Sequence, residues 1–238
     1  MNEIIKNAFE KLKTVIVPNR CDLCGEVIFP DETRCEKCEN ALRIEGDICD
    51  KCGVTKENCK CDKYNFKCEY SMICSPFYFD GSIAVGIIRL KNYGYVNIAD
   101  AFADEMVRCL LERTDVKAFD CVTFVPMTKG KQRRRGYNQS ELLATKVADK
   151  LGLPLASLLV KVRRTKPQRK ISAKERRVNL HGAFDLAYDC DVTGKTVLLI
   201  DDVKTTGSTL NECALTLLSY GAKSVIASTV AIVDESMR

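Results

Sequence analysis

Asp201 and Asp202, followed at once by Thr205-Thr206-Gly207-Ser208-Thr209, have the types and spacing to hold a phosphorylated sugar. The four residues ahead of them, 197–200, are all apolar and predict a buried strand. After the Thr/Gly/Ser turn, Leu210, Ala214, Leu217 and Leu218 recur at helical spacing. A turn that enters a helix presents backbone N–H groups and hydroxyls to a phosphate. The paired carboxylates beside it suit the hydroxyls of a sugar, and ribose 5-phosphate carries both kinds of group. A strand, turn and helix with a Ser/Thr cap is common in α/β proteins, but it has no need of two adjacent acids. The chain has no G-x-x-x-x-G-K-[ST], and no G-x-G-x-x-G follows a strand, so neither a P-loop nor a dinucleotide site is supported.

The cysteines suggest a second chemistry. Cys21-x-x-Cys24, Cys35-x-x-Cys38, Cys49-x-x-Cys52 and Cys59-x-Cys61 supply eight thiolates in four close pairs. Each pair can clamp one edge of a tetrahedral Zn²⁺, and eight ligands make two structural Cys₄ sites. Gly25 and Gly53 directly follow Cys24 and Cys52, as a knuckle turn requires. Spacing leaves sequential and interleaved pairing both open, and Cys68 or Cys74 are poorer substitutes for the tight fourth pair. A closed Cys₄ shell leaves no open position for catalysis. It supports a fold too small to have its own core. Cys109, Cys121, Cys190 and Cys213 lie in periodic segments and read as small buried hydrophobes.

Length and charge set the outer bounds. The 238 residues suffice for one medium domain with a small appendage. Fourteen cysteines with no secretory h-region point to a reducing compartment, so the expected location is the cytoplasm. No apolar run approaches the ~20 residues of a membrane span. Net charge is only +5, yet residues 129–177 hold sixteen Lys/Arg against three acids. That local excess of +13 leaves −8 for the rest and points to a polyanionic ligand.

The elements that must position these groups read as α/β. Residues 3–16 carry a helical stripe (Ile4, Ile5, Ala8, Phe9, Leu12, Val15, Ile16), ended by Pro18. From Ser75 onward, helical spacing over 83–90, 97–113 and 138–151 alternates with strands over 121–125, 155–160, 197–200 and 224–233. Such alternation predicts a parallel sheet with right-handed crossovers and a ligand at the carboxyl ends of its strands. The expected organisation is an N-terminal helix (1–18), a double zinc ribbon (19–74) and an α/β domain (75–238). Residues 126–139 read as a basic loop facing the same crevice as Asp201, and 161–177, with nine basic residues, as a loop over it. His181, the single histidine, stands outside any acid/base set and reads as structural.

The run from 197 to 209 resembles the phosphoribosyl pyrophosphate (PRPP) signature of type I phosphoribosyltransferases, four hydrophobics and D-D-x-x-T-T-G-x-T. The wider chain resembles the competence protein F (ComF, GntX-like) family. The double zinc ribbon matches, as do F-x-Y/F-x-G with I-x-x-L-K over residues 77–91 and V-P…R-x-R-G-[FY]-N-Q over residues 125–139. R-x-T-x-x-Q…E-R-x-x-N fits residues 163–179. Departures are the tight Cys59-x-Cys61 pair and Ala84-Val85-Gly86 in place of a more basic helix start. The resemblance implies a type I phosphoribosyltransferase-like parallel sheet flanked by helices, with a small zinc-ribbon domain ahead of it. It implies that Asp201 and Asp202 hold the ribose hydroxyls as the catalytic pair, and that Thr205, Thr206, Gly207, Ser208 and Thr209 wrap the 5-phosphate. Lys129, Arg133, Arg134 and Arg135 become pyrophosphate candidates, and Arg163, Arg164, Arg176 and Arg177 lid candidates, with Mg²⁺ arriving on PRPP. It also links the chain to DNA uptake in natural transformation. The alternative is a PRPP-sensing or single-stranded-DNA-binding factor without turnover, partnered by DNA-uptake proteins.

Overall fold

A computed structural model describes residues 18–63, 66–162 and 182–234. The stripe over 3–16, His181 and Arg163, Arg164, Arg176 and Arg177 lie outside the described residues. The elements are α1 (Glu36–Glu39), β1 (Met72–Cys74), β2 (Phe77–Tyr78), α2 (Gly81–Asn92), α3 (Ile98–Arg113), β3 (Cys121–Phe124), α4 (Lys129–Arg135) and α5 (Gln139–Leu151). They continue with β4 (Leu159–Lys161), β5 (Phe184–Leu186), β6 (Thr196–Lys204), α6 (Ser208–Ser219) and β7 (Ser224–Ile232).

β7 and β6 lie at the centre of a parallel sheet in which β3 pairs with β6 on one side. On the other side β1 and β2 pair with successive lengths of β7, at Met72↔Ile226 and Phe77↔Ala231. One apolar cluster joins Val122, Leu198, Ile200 and Val230 to α2, α3 and α5. The opposite cluster sets Val197, Leu199 and Ala227 against Leu210, Cys213, Ala214 and Leu217 of α6. This two-sided burial explains why the central strands are continuous apolar runs. Alternation within β6 also sends neighbouring side chains to opposite faces of the sheet.

Three sequence expectations are corrected. The strand expected over 197–200 continues through both carboxylates to Lys204 because β7 pairs with it as far as Lys204↔Ile232. The strand expected over 155–160 is not part of the main sheet. Ala156 donates to the Val122 carbonyl, and Leu155 makes one isolated parallel bridge to Val122 of β3. The chain then turns away, and β4 pairs antiparallel with β5. The basic loop contains helix α4. Thr128 Oγ1 accepts from the Lys131 N–H at 3.4 Å, the Lys/Gln/Arg run favours helix, and Gly136 at φ 91° ends it.

The cysteine-rich segment packs on this sheet. Cys21, Leu23, Cys24 and Cys38 share one apolar cluster with α2 and α3. Glu105 of α3, buried, accepts from Arg34 Nη1 at 2.6 Å and Arg43 Nη1 at 2.8 Å, both in the cysteine-rich segment, and from Arg108 Nη2 at 2.9 Å. Burial opposes the charge, but these guanidiniums prevail and hold the Glu105 carboxyl down at about 2. A carboxylate depressed in the fold contributes stability that is full above its unfolded value, near 4.5, and is lost as pH falls through about 2. Glu105→Gln removes charged hydrogen bonds to three half-buried or exposed guanidiniums and is expected to cost about 2 kcal/mol at pH 7. Urea denaturation at pH 7 and pH 3 checks this, since the gap between wild type and variant should narrow at the lower pH.

Candidate functional site

The carboxyl end of β6 carries the acid pair, and the strand's alternation turns the two carboxylates to different partners. Asp201, half-buried, accepts from Ser140 Oγ at 2.7 Å, and its Oδ1 also accepts from the Asp202 N–H at 2.9 Å. Asp202 is buried, with Oδ1 at 2.9 Å from Lys91 Nζ and Oδ2 without a hydrogen-bond partner. Burial, and then the neighbouring Asp202 charge, push the Asp201 carboxyl up to about 7, while Ser140 and Lys91 pull the other way.

Ser140 is placed by its own helix start. Asn138 caps α5, its Oδ1 accepting from the Ser140 N–H at 3.1 Å while its Nδ2 donates to the Val125 carbonyl at 3.1 Å. The cap therefore ties α5 to the end of β3, and the first turn delivers the Ser140 hydroxyl to the neighbouring strand's acid. Lys91 comes from the last turn of α2. Neither Ser140 nor Lys91 was among the candidates read from the sequence. Lys91 does close the I-x-x-L-K element, the one signal that could have found it.

After Lys204 the chain turns through Thr205 and Thr206 to Gly207, whose φ of 75° starts α6. A Cβ at Gly207 would stand 3.2 Å from the Tyr70 hydroxyl and 3.3 Å from Lys204 Cε, so the turn is both left-handed and closely packed. Among the described residues no acceptor meets the backbone N–H groups of Thr205, Thr206 or Gly207. Ser208 N–H reaches only Thr206 Oγ1, at 3.4 Å, and the Thr206 and Ser208 hydroxyls are 2.8 Å apart. These donors, with Thr209 on the first turn, can take an anion.

The four basic candidates Lys129, Arg133, Arg134 and Arg135 all lie on α4, with Lys129, Arg133 and Arg134 exposed. Arg135 donates to Gln139 Oε1. Burial and then the Lys131 charge hold Lys161 below the ordinary lysine range, with Cys213 and Asp201 opposing. The charges of Lys131 on α4 and of Asp201 on β6 thus both act on Lys161 of β4. Nothing in a dense basic run distinguishes Lys161, which is half-buried, from exposed cations such as Lys131. Two clefts elsewhere on the surface, of about 360 Å³ beside Tyr93 and Tyr95 and about 250 Å³ beside Met72 and Arg113, contain none of these residues.

The cysteines form two sequential sets, Cys21/Cys24/Cys35/Cys38 and Cys49/Cys52/Cys59/Cys61, with all sulfurs of a set within 4.8 Å of one another. Cys24–Cys35, Cys52–Cys59 and Cys49–Cys61 Sγ distances are 3.6, 3.6 and 3.9 Å. A tetrahedron with ~2.3 Å metal–sulfur bonds has edges of about 3.8 Å, so either set could hold a metal ion. Gly25 and Gly53, at φ 74° and 78°, donate to the Cys21 and Cys49 carbonyls at 2.8 and 2.7 Å and close matching turns. Cys68 and Cys74 belong to neither set.

Comparison with known proteins agrees with the fold. A family model described as the phosphoribosyl transferase domain matches residues 137–236, from the α5 cap to the end of β7. Over 217 residues the chain is 31% identical to the DNA utilization protein YhgH of Salmonella typhimurium, covering 88% of this chain and 95% of that one. It is 32% identical over 215 residues to competence protein F of Haemophilus influenzae, covering 87% and 93%. Competence protein ComFC of Bacillus subtilis is 28% identical over 211 residues, covering 85% of each.

Proposed function

Because this chain belongs to the competence protein F family, we propose that the acid pair and the turn after β6 bind PRPP with Mg²⁺, in a protein that serves DNA uptake. The observation that carries this reading is the juxtaposition at one strand end of two positioned carboxylates and a turn with unspent N–H groups. Asp201 and Asp202 accept hydrogen bonds from the ribose 2- and 3-hydroxyls. Thr205, Thr206, Gly207, Ser208 and Thr209 surround the 5-phosphate with amides, hydroxyls and the start of α6. Lys129, Arg133, Arg134 and Arg135 supply cations for the pyrophosphate, with Arg163, Arg164, Arg176 and Arg177 proposed to approach from the segment after β4.

Mg²⁺, bound with PRPP, neutralises charge that builds on the pyrophosphate oxygens. With a protonated nucleophile as acceptor, its lone pair forms a new bond to ribose C1 and its proton passes to solvent, while the bond from C1 to pyrophosphate breaks and its electron pair leaves on the pyrophosphate oxygen. The fixed carboxylates favour the cationic sugar, and the basic helix favours the departing anion. Zn²⁺ in the two cysteine sets is the fitting structural metal. A second reading, an anion-binding competence factor without turnover that takes single-stranded DNA on its basic residues, draws on the exposure of Arg133 and Arg134. Its affinity for DNA should fall steeply with salt.

Isothermal titration decides the primary reading. Wild type is expected to bind PRPP–Mg²⁺, and the Asp201→Asn/Asp202→Asn double variant to bind it at least a hundredfold more weakly. Equal affinity in the two proteins would reject the site.

A further inference from the structure

Helix α2 lies along the first cysteine set. Ser82 Oγ donates to the Lys37 carbonyl at 2.9 Å near its start, and Arg89 Nη1 donates to the Cys24 carbonyl at 2.7 Å near its end. Between them, a Cβ at Gly86 would stand 2.0 Å from the Leu23 carbonyl oxygen, so the helix meets the knuckle backbone with nothing between. The last turn faces the acid pair. The Leu90 carbonyl accepts from the Tyr137 hydroxyl, ahead of the α5 cap, and Lys91 Nζ reaches Asp202 Oδ1 at 2.9 Å.

The Asp202 side chain is 6% exposed, and Lys91 is the cation that pairs with it among the described residues. A carboxylate so buried depends on a polar partner to hold it in place. Its second oxygen, Oδ2, is buried and has no hydrogen-bond partner among the described residues.

We propose that Lys91 is the positioning residue of the ribose site, borne on the knuckle-clamped helix α2. It holds Asp202 Oδ1 and so fixes how the carboxylate is turned to meet a sugar hydroxyl. Lys91 acts through Asp202 and touches no substrate atom. The assignment rests on the ribose reading of the acid pair and adds to it the link from the cysteine module to sugar recognition.

The test uses the full chain with Lys91→Met, Lys91→Arg, Asp202→Asn and the double variant Lys91→Met/Asp202→Asn. PRPP–Mg²⁺ and inorganic pyrophosphate are each titrated, and melting temperatures are recorded. Lys91→Met is expected to weaken PRPP at least tenfold and leave pyrophosphate within twofold, because pyrophosphate carries no sugar hydroxyl. Lys91→Arg should bind PRPP within threefold of wild type. In the Asp202→Asn background, which removes the stranded charge and so protects folding, Lys91→Met should cost less than twofold more. Unchanged PRPP affinity in Lys91→Met, equal loss of both ligands, or a second tenfold loss in the double variant each overturns the assignment while leaving the ribose reading intact. A wild type that binds no PRPP overturns the ribose reading and this assignment with it.

Discussion

With Zn²⁺ bound in the first cysteine set as proposed, stripping it is expected to destabilise the sheet along with the knuckle. Cys38 is fully buried, and with Cys21, Leu23 and Cys24 it lies in the apolar cluster that also contains Ile83 and Ile87 of α2 and Phe102 and Met106 of α3. Loss of the metal leaves four thiols in that cluster. Burial pushes the Cys24 and Cys38 thiols up, so these two freed sulfurs would take protons and lose their fixed geometry. Structural zinc contributes on the order of 10 kcal/mol to small metal-dependent folds, comparable to the entire stability of an ordinary domain. Cys38→Ser, or treatment with a strong chelator, should therefore lower the melting temperature of the sheet itself. Circular dichroism in the far and near ultraviolet should report a single shared transition. A knuckle that lost its metal while the sheet melted at the wild-type temperature would show that the two are energetically separate.

Asp201→Asn is expected to make the empty protein more stable at pH 8 and to impair its ligand site. The Asp201 carboxyl stands at about 7 in the fold against 3.8 ordinarily. A group raised in this way contributes stability that is complete below its unfolded value and is lost as pH rises through the folded one. The relevant window is pH 4 to 7, and ionising the folded group costs about 4 kcal/mol by pH 8. Asparagine keeps the shape and does not titrate, so the variant escapes that loss. Ribose hydroxyls donate to a carboxylate, so wild-type PRPP binding should tighten as pH rises through about 7, with proton uptake by buffer, while the variant binds weakly at every pH. Urea midpoints of both proteins at pH 4, 6 and 8 provide the check. A difference between them that stays constant across that range would sink the prediction. The pattern is a stability–function trade-off, in which adjacent carboxylates are held close because the ligand needs them.

Much of the architecture was legible because it is written in periodicity. The apolar runs over 197–200 and 224–233, and the stripes over 97–113 and 138–151, each became the expected kind of element, shifted by a residue or a few at the ends. The cysteine sets were legible because a metal clamp demands short local spacing. Residues 155–160 misled because Leu155 and Val160 are as apolar as a sheet strand should be, and only the partner decides which sheet they join. The basic run misled for a different reason. High charge suggests a solvated loop, yet Lys, Gln and Arg are good helix formers once Thr128 and Gly136 cap them.

Read alone, the amino-acid order determined which groups exist and which lie close along the chain: the acid pair, the hydroxyl turn, the cysteine doublets and the excess of positive charge. Local chemistry is encoded by neighbours a few residues apart, so it survives without coordinates. Only the tertiary structure decided what each acid faces. Ser140 lies 61 residues from Asp201, and Lys91 is more distant still from Asp202. No spacing rule pairs such residues, because the sheet and the clamped helix bring them together.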